Sequence, residues 1–437
     1  MNVSVQLQRV PVLCCLALTA CLWARAQQAA EPQDVPLKLQ VNVNRILVPV
    51  VVHDRQGRVV GDLKKEDFQV FDNDKAHPIS SFTVEKRAAA EGRQENTVVS
   101  NQPATATADA AAAATPPAQR FVVLVFDDLH LSPENLAQAK QAAAKVLAGT
   151  LTGQDIGAVI SLSQKTNSGL TRDHARLQDA IMSLQSRGVY KTSHNECPDI
   201  GYYQADLMEN KRDSGAMGDA VRKVLNCDPG IDPKYQITAA QNEAESAARR
   251  ALALGHQDAL STYATIAAFV RTMATLPGER TMILVSPGFL RIEPETLTAE
   301  SQLMNLAAES NVTISALDAR GLYTAELTAS DRSPALAGPS LQQNSDYRSS
   351  ADKLAEAPMS ELADATGGTF LQNSNDLGEG LKRLAEAPEV EYVLELSPEN
   401  LKSDGAYHRL KVNVDREGLV VQARHGYVIP KPEKNRK

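Results

Sequence analysis

Two features of the chain predict an α/β fold: a doubly wound, mostly parallel sheet with helices on both faces. From residue 121 onward, short apolar runs alternate with amphipathic helical stretches. The runs are continuously apolar, which marks strands buried on both faces. A third feature predicts flanking β-sandwich-like segments. At 36–86 and 389–430 apolar residues recur at every second position, the pattern of half-buried strands.

The first 26 residues read as an export signal. Arg9 supplies a positive charge, Val10 to Trp23 is apolar apart from Pro11 and Thr19, and Ala24-Arg25-Ala26 fits the small-x-small cleavage rule. That stretch is too short to span a bilayer. Leu18-Thr19-Ala20-Cys21 also resembles a bacterial lipobox, so release and lipid tethering at Cys21 both stay open. The protein is expected to be periplasmic, outer-membrane-associated or secreted, and to meet a membrane only if it is lipidated.

The N-terminal β segment, 36–86, carries Leu37-x-Leu39-x-Val41-x-Val43 and Ile46-x-Val48-x-Val50, a turn at Asp54-Arg55-Gln56-Gly57, and strands at Phe68-x-Val70 and Ile79 to Val84. Residues 87–119, rich in Ala, Thr, Gln and Pro, read as a disordered linker. The α/β domain is expected over 120–388. Phe121 to Phe126 and Ile156 to Leu162 read as buried strands, and Leu170-Thr171 as a short edge strand. Ser132-Pro133-Glu134 has the N-cap serine, N1 proline and first-turn acid of a helix start. Asp173 caps the next helix.

The stretch 188–234 interrupts the alternation and reads as an insertion. A long Ala-rich helix follows, then a strand at Met282 to Val285, a helix near 297–309, a strand at Val312 to Leu317, and a polar insertion near 324–350. A helix ending near Thr366, a short strand at Thr369 to Leu371, and a last helix over 376–387 complete the domain. The C-terminal β segment, 389–430, is too small to stand alone and is expected to pack with 36–86.

The 437 residues are 43% hydrophobic and 22% charged, enough for two or three domains with a real core. Net charge is −8 with no Lys- or Arg-rich run, which argues against nucleic acid as a partner. Past the signal, Cys197 and Cys227 are an even pair in an exported chain, so a disulfide is expected between them.

Ligands of open α/β sheets bind outside the carboxyl ends of the strands. Asp127, Asp128, His130 and Ser132 follow the first strand, Ser163 and Thr166 the second, Ser286 the strand after the long helix, and Asp318 and Arg320 the next. Adjacent carboxylates with hydroxyls nearby suit a hard cation, so Asp127, Asp128 and Ser286 are a candidate Mg²⁺ set. Solvent-facing strand ends are the competing reading. The insertion carries Tyr202 and Tyr203 in a chain that is only 4% aromatic. They are candidate partner-binding residues, or they pack the insertion onto the domain.

The order of these elements resembles a von Willebrand factor type A domain. Val48-Pro49-Val50-Val51-Val52-x-Asp54-x-x-Gly57, Glu66-Asp67-Phe68-x-Val70, Phe126-Asp127-Asp128-Leu129-His130 and Cys197-Pro198-Asp199 resemble its exported acidobacterial branch. So do Gly367-Gly368-Thr369-Phe370, Asp404-Gly405-x-Tyr407-His408 and Ala423-Arg424-x-Gly426-Tyr427. The resemblance implies a metal-ion-dependent adhesion site: an Asp-x-Ser-x-Ser loop, a Thr and a later Asp. Asp127 matches the first Asp, but Leu129 and Leu131 replace the serines, and Ser286 or Pro287 stands where the later Asp belongs. The site is therefore degenerate.

The favoured expectation is an exported, non-catalytic binding protein of the bacterial envelope, with a protein or another envelope component as partner. A structural envelope component without a ligand is the alternative. A hydrolase using Asp127 or Asp128 is less favoured, because the chain lacks Gly-x-Ser-x-Gly, His-Glu-x-x-His and a phosphate-binding Gly-rich loop.

Overall fold

In the computed structural model the described residues are 46–56, 58–86, 120–151, 155–188, 198–227, 230–232, 234–321, 339–397 and 407–428. The signal with Cys21, the 87–119 linker, Cys197 and the side chain of Cys227 lie outside them, and so does the expected disulfide.

The chain opens with β1 (Ile46–Asp54), β2 (Phe68–Asp72), β3 (Lys75–His77) and β4 (Ile79–Lys86). An α/β unit follows: β5 (Arg120–Phe126), α1 (Pro133–Thr150), β6 (Ile156–Ser161), α2 (His174–Ser183), α3 (Tyr202–Glu209) and α4 (Ser214–Cys227). It continues with α5 (Ile237–Ala274), β7 (Glu279–Ser286), α6 (Pro294–Glu309), β8 (Val312–Asp318), α7 (Pro339–Thr366), β9 (Phe370–Leu371) and α8 (Leu377–Ala385). Four strands end the fold: β10 (Val390–Leu396), β11 (Tyr407–Val414), β12 (Leu419–Ala423) and β13 (Gly426–Val428).

The central sheet is five-stranded, in the order β6-β5-β7-β8-β9, and every pairing is parallel. Every residue of β5 is buried, as its unbroken apolar run requires. Val122, Leu124 and Phe126 face α1, α2 and α8. Val123 and Val125 face α5, α6 and α7. Helices therefore cover both faces of the sheet. Beyond β6 the expected edge strand is reduced to isolated antiparallel bridges, Gly157 with Thr171 and Ile160 with Asn167.

The N- and C-terminal strands interleave in two four-stranded antiparallel sheets, β12-β1-β10-β4 and β13-β11-β2-β3. Alternation along β1 turns Val48, Val50 and Val52 inward, against Phe68, Tyr392, Leu394 and Leu410. The buried Tyr392 hydroxyl donates to the Val60 carbonyl at 2.8 Å and accepts from the Leu63 amide at 3.1 Å. This sandwich meets the amino ends of β8 and β9. There Gln422 Nε2 donates to Thr369 Oγ1 at 2.8 Å and Arg424 to Asn311 Oδ1 at 3.1 Å.

The opposite, carboxyl end of the sheet carries a helical cap. The 188–234 region forms α3 and α4, which pack against the first half of α5 and against Tyr347 of α7. α7 begins inside the stretch read from sequence as a polar insertion, because the cap buries what sequence alone leaves unpartnered. At ~1.5 Å rise per residue, the 38 residues of α5 run far enough to serve both the sheet and the cap.

Lys223 ties the cap together. It is 0% exposed, beside an equally buried Asp219 carboxylate at 3.3 Å. Its ammonium also donates to Gln204 Oε1 at 2.7 Å, and at 3.2 Å to the Asp199 carbonyl and Asn344 Oδ1. Burial lowers its pKa against the pull of Asp219. Lys223→Met leaves the buried Asp219 charge with only the half-exposed Arg222, 3.1 Å away, and is expected to destabilise the cap by about 3 kcal/mol. Hydrogen exchange should show α3 and α4 losing protection while β5 and β7 keep theirs. Adding Asp219→Leu should restore most of the loss.

Candidate functional site

Strand order reverses between β5 and β7, so the loops after these strands bound the site where α/β sheets take ligands. The Asp127 amide donates to the Val285 carbonyl at 2.9 Å, which seats Asp127 at the end of β5. Its side chain is 0% exposed. Oδ2 accepts from Ser286 Oγ at 2.6 Å, and Oδ1 from the His130 amide at 2.9 Å. His130 Nδ1 lies 2.8 Å from both oxygens.

The other ring nitrogen of His130, Nε2, lies 2.6 Å from Asp258 Oδ2 on α5. Both nitrogens thus face carboxylates that can only accept when ionised, so both carry protons and the ring is an imidazolium. Burial disfavours that charge, but Asp127 and Asp258 outweigh it and hold His130 well above its ordinary value.

Asp128 points the other way. Its Oδ1 accepts from the Ser163 amide at 2.9 Å and its Oδ2 from Ser163 Oγ at 2.5 Å. Arg187 approaches the same carboxylate at 3.6 Å. Ser132 accepts from the Asn135 amide at 3.1 Å and so caps α1.

The structure brings Asp127 and Ser286 together but sends Asp128 toward β6. The expected Mg²⁺ set does not fit this donor arrangement. Both oxygens of each aspartate already receive protein protons, and Ser286 Oγ is spent as a donor to Asp127 and an acceptor from the Gly288 amide. Leu131 is buried and Leu129 packs among apolar side chains. Mg²⁺ needs a near-octahedral oxygen shell at about 2.0–2.1 Å. Among the described residues no group of three or more His, Cys, Asp or Glu is placed to hold a metal.

Tyr202 and Tyr203 are half-buried in cap packing. The Tyr202 ring lies so close to Gly255 of α5 that a Cβ there would sit 2.2 Å from it. Tyr203 meets Tyr347 edge-on with centroids 6.5 Å apart, within the range of about 4.5–7 Å typical of such pairs. Sequence reasoning missed Asp258. It sits in the middle of an Ala-rich helix, and its one signal is that it breaks the apolar spacing there.

α7 closes over the loop after β7. Gly288 has φ +94°, and a Cβ on it would stand 2.3 Å from the Ala355 carbonyl oxygen. Arg291 from this loop binds Glu361 of α7 at 2.8 Å and also pairs with Glu300 of α6. Arg320, after β8, joins Asp318 at 2.7 Å to Glu356 of α7 at 2.6 Å.

Two outcomes are expected. His130→Ala leaves two uncompensated carboxylates and should cost about 3 kcal/mol in chemical denaturation near pH 6. Because the folded-state pKa is raised, the imidazolium contribution is full below about 6.5, the unfolded value. It fades as pH rises through the folded value, so the gap between wild type and variant should narrow toward alkaline pH. Gly288→Ala should lower the melting temperature and loosen α7, read as faster hydrogen exchange near Ala355, because positive φ and the close carbonyl both oppose a Cβ.

No family model matches the chain, and no curated protein matches it. Among solved structures, an aerotolerance-related membrane protein from Bacteroides fragilis aligns at 13% identity and TM-score 0.28, covering 61% of this chain and 96% of that one. The conserved hypothetical protein BatB from Bacteroides thetaiotaomicron aligns at 11% identity and TM-score 0.25, covering 60% and 96%. The N-terminal domain of TFIIH p34 aligns at 13% identity and TM-score 0.22, covering 61% and 96%. These likenesses are weak, and the α/β fold stands on the strand order and pairing described above.

Proposed function

We propose that this chain is an exported, non-catalytic binding protein of the bacterial envelope, acting at the capped carboxyl end of its parallel sheet. The observation that carries this reading is the state of the two aspartates at the switch point. Asp127 is engaged by His130 and Ser286, and Asp128 by Ser163. Carboxylates locked by internal donors are poorly placed to act as base or nucleophile, which must reach a substrate proton or atom. The same engagement supports a site whose carboxylate charge is balanced by His130.

The N-terminal stretch, read from sequence as an export signal, supports placement in the envelope. Among the described residues no helix is long and apolar enough to cross a membrane. The degenerate adhesion-type loop, with Leu129 and Leu131 turned to packing, supports recognition by side chains rather than through a bound metal.

The reading is tested by thermal unfolding in EDTA and in millimolar Mg²⁺, beside turnover assays on phosphoester and acyl-ester substrates. Equal melting temperatures and no turnover above the Asp127→Asn level are expected. A native-state ligand at a hundredfold excess over its Kd adds about 2.7 kcal/mol. A Mg²⁺-dependent rise lost in Asp127→Asn, or turnover lost in that variant, would overturn it.

A further inference from the structure

Most edges of the described sheets are short or covered. β3 and β13 have three residues each, and β9 has two. The edge of β6 carries the bridges to Asn167 and Thr171. β12 lies against the α/β unit through Gln422. β4 differs. It runs for eight residues at the end of its sheet and pairs with β10 alone. A strand edge of that length is a template for another strand unless a proline, a bulge or an inward-facing charge blunts it. The irregularity in its pairing falls at Leu396 and Ile79, so residues 81–85 keep a regular register, and they include no proline.

The pairing with β10 fixes which backbone groups of β4 stay free. Glu395 stands opposite Ser81, and its carbonyl accepts from Ser80 Oγ at 2.7 Å, so it points toward β4. Along an antiparallel strand, residues bonded to one neighbour alternate with residues whose N–H and C=O point to the other side. Ser81, Thr83 and Glu85 therefore bond to β10. Phe82 and Val84 turn their N–H and C=O outward, and among the described residues no backbone group meets them. Their side chains join the sandwich core, where the Phe82 ring lies 5.6 Å from Phe68 and 5.8 Å from Tyr392. Both remain half-buried at the edge. Thr83, opposite Val393, is on the outer face.

This edge is complementary to itself. With a two-fold axis at Thr83, an antiparallel second copy sets Phe82 opposite Val84 and Val84 opposite Phe82. Each outward N–H and C=O then meets its counterpart, and the apolar side chains cover each other. Thr83 faces Thr83, a favourable cross-strand pair. Ser81 faces Glu85, so no like charges oppose. Moving the axis to Val84 sets Phe82 against Lys86, and moving it to Phe82 brings Lys86 to Pro78, which has no N–H.

We propose that two copies of this chain associate through β4, antiparallel about a two-fold axis at Thr83, joining their β12-β1-β10-β4 sheets into one. The contact is isologous and closed, so assembly stops at the dimer. A single strand edge is small beside a standard interface, so the dimer exchanges with monomer.

The test is sedimentation velocity of the purified chain over a range of concentrations, with the melting temperature as a check of folding. A reversible monomer–dimer equilibrium is expected. Thr83→Lys and Thr83→Glu each set a charge against its own copy at the axis, and each should weaken the dimer about fivefold. Mixing the two variants in equal amounts should restore association, because unlike charges then meet. Ser81→Lys sets an ammonium opposite Glu85 and should tighten the dimer about fivefold. Both positions face outward, so the melting temperature of dilute variants should stay near that of the wild type. A chain that is monomeric at every concentration overturns the proposal. So does a dimer that the Thr83 and Ser81 variants leave unchanged, or one that the mixture of Thr83 variants does not restore.

Discussion

The arrangement of the sheet's carboxyl end depends on one imidazolium held between two carboxylates. Asp127 is fixed to the end of β5 through its own amide, and Asp258 belongs to a helix that also builds the cap. His130 joins them. Removing charges from water is expensive, and the cost is recovered only when geometry and hydrogen bonding are both good. Here Ser286 and the His130 amide satisfy the remaining Asp127 acceptors. The bridge therefore positions β5, β7 and α5 together, and sets the point on α5 where sheet packing ends and cap packing begins.

The loop after β5 turns Asp127 onto donors of the chain itself. The His130 ring balances the charge of that carboxylate. It is tethered to the chain, and its charge varies with pH.

The parallel sheet was legible because its strands are unbroken apolar runs and its helices carry ordinary start signals, such as Ser132 before Pro133 and Asp173 before His174. The site was half legible. Asp127 and Ser286 could be found because each follows a strand directly. Asp258 could not, since its role comes from a contact 128 positions away in the chain. The cap was read only as an interruption. Its helices are short and polar on their outer faces, and they become stable by packing on overhanging parts of α5 and α7. A single sequence does not reveal that a helix is longer than its sheet needs.

The sandwich has a consequence for how this chain is made. Ile46 of β1 pairs with Leu396 of β10, and Asp54 with Leu419 of β12. The first of the described strands therefore has neither neighbour in its sheet until almost the whole chain exists. Loop-closure entropy rises only slowly with length, so the finished pairing is not greatly penalised. The delay is another matter. Val48, Val50 and Val52 wait as an open apolar edge while the α/β unit, whose contacts are nearer in sequence, can already assemble. Unpaired edges of this kind are where newly made chains misassociate. The sandwich is therefore the last of the described sheets that can close.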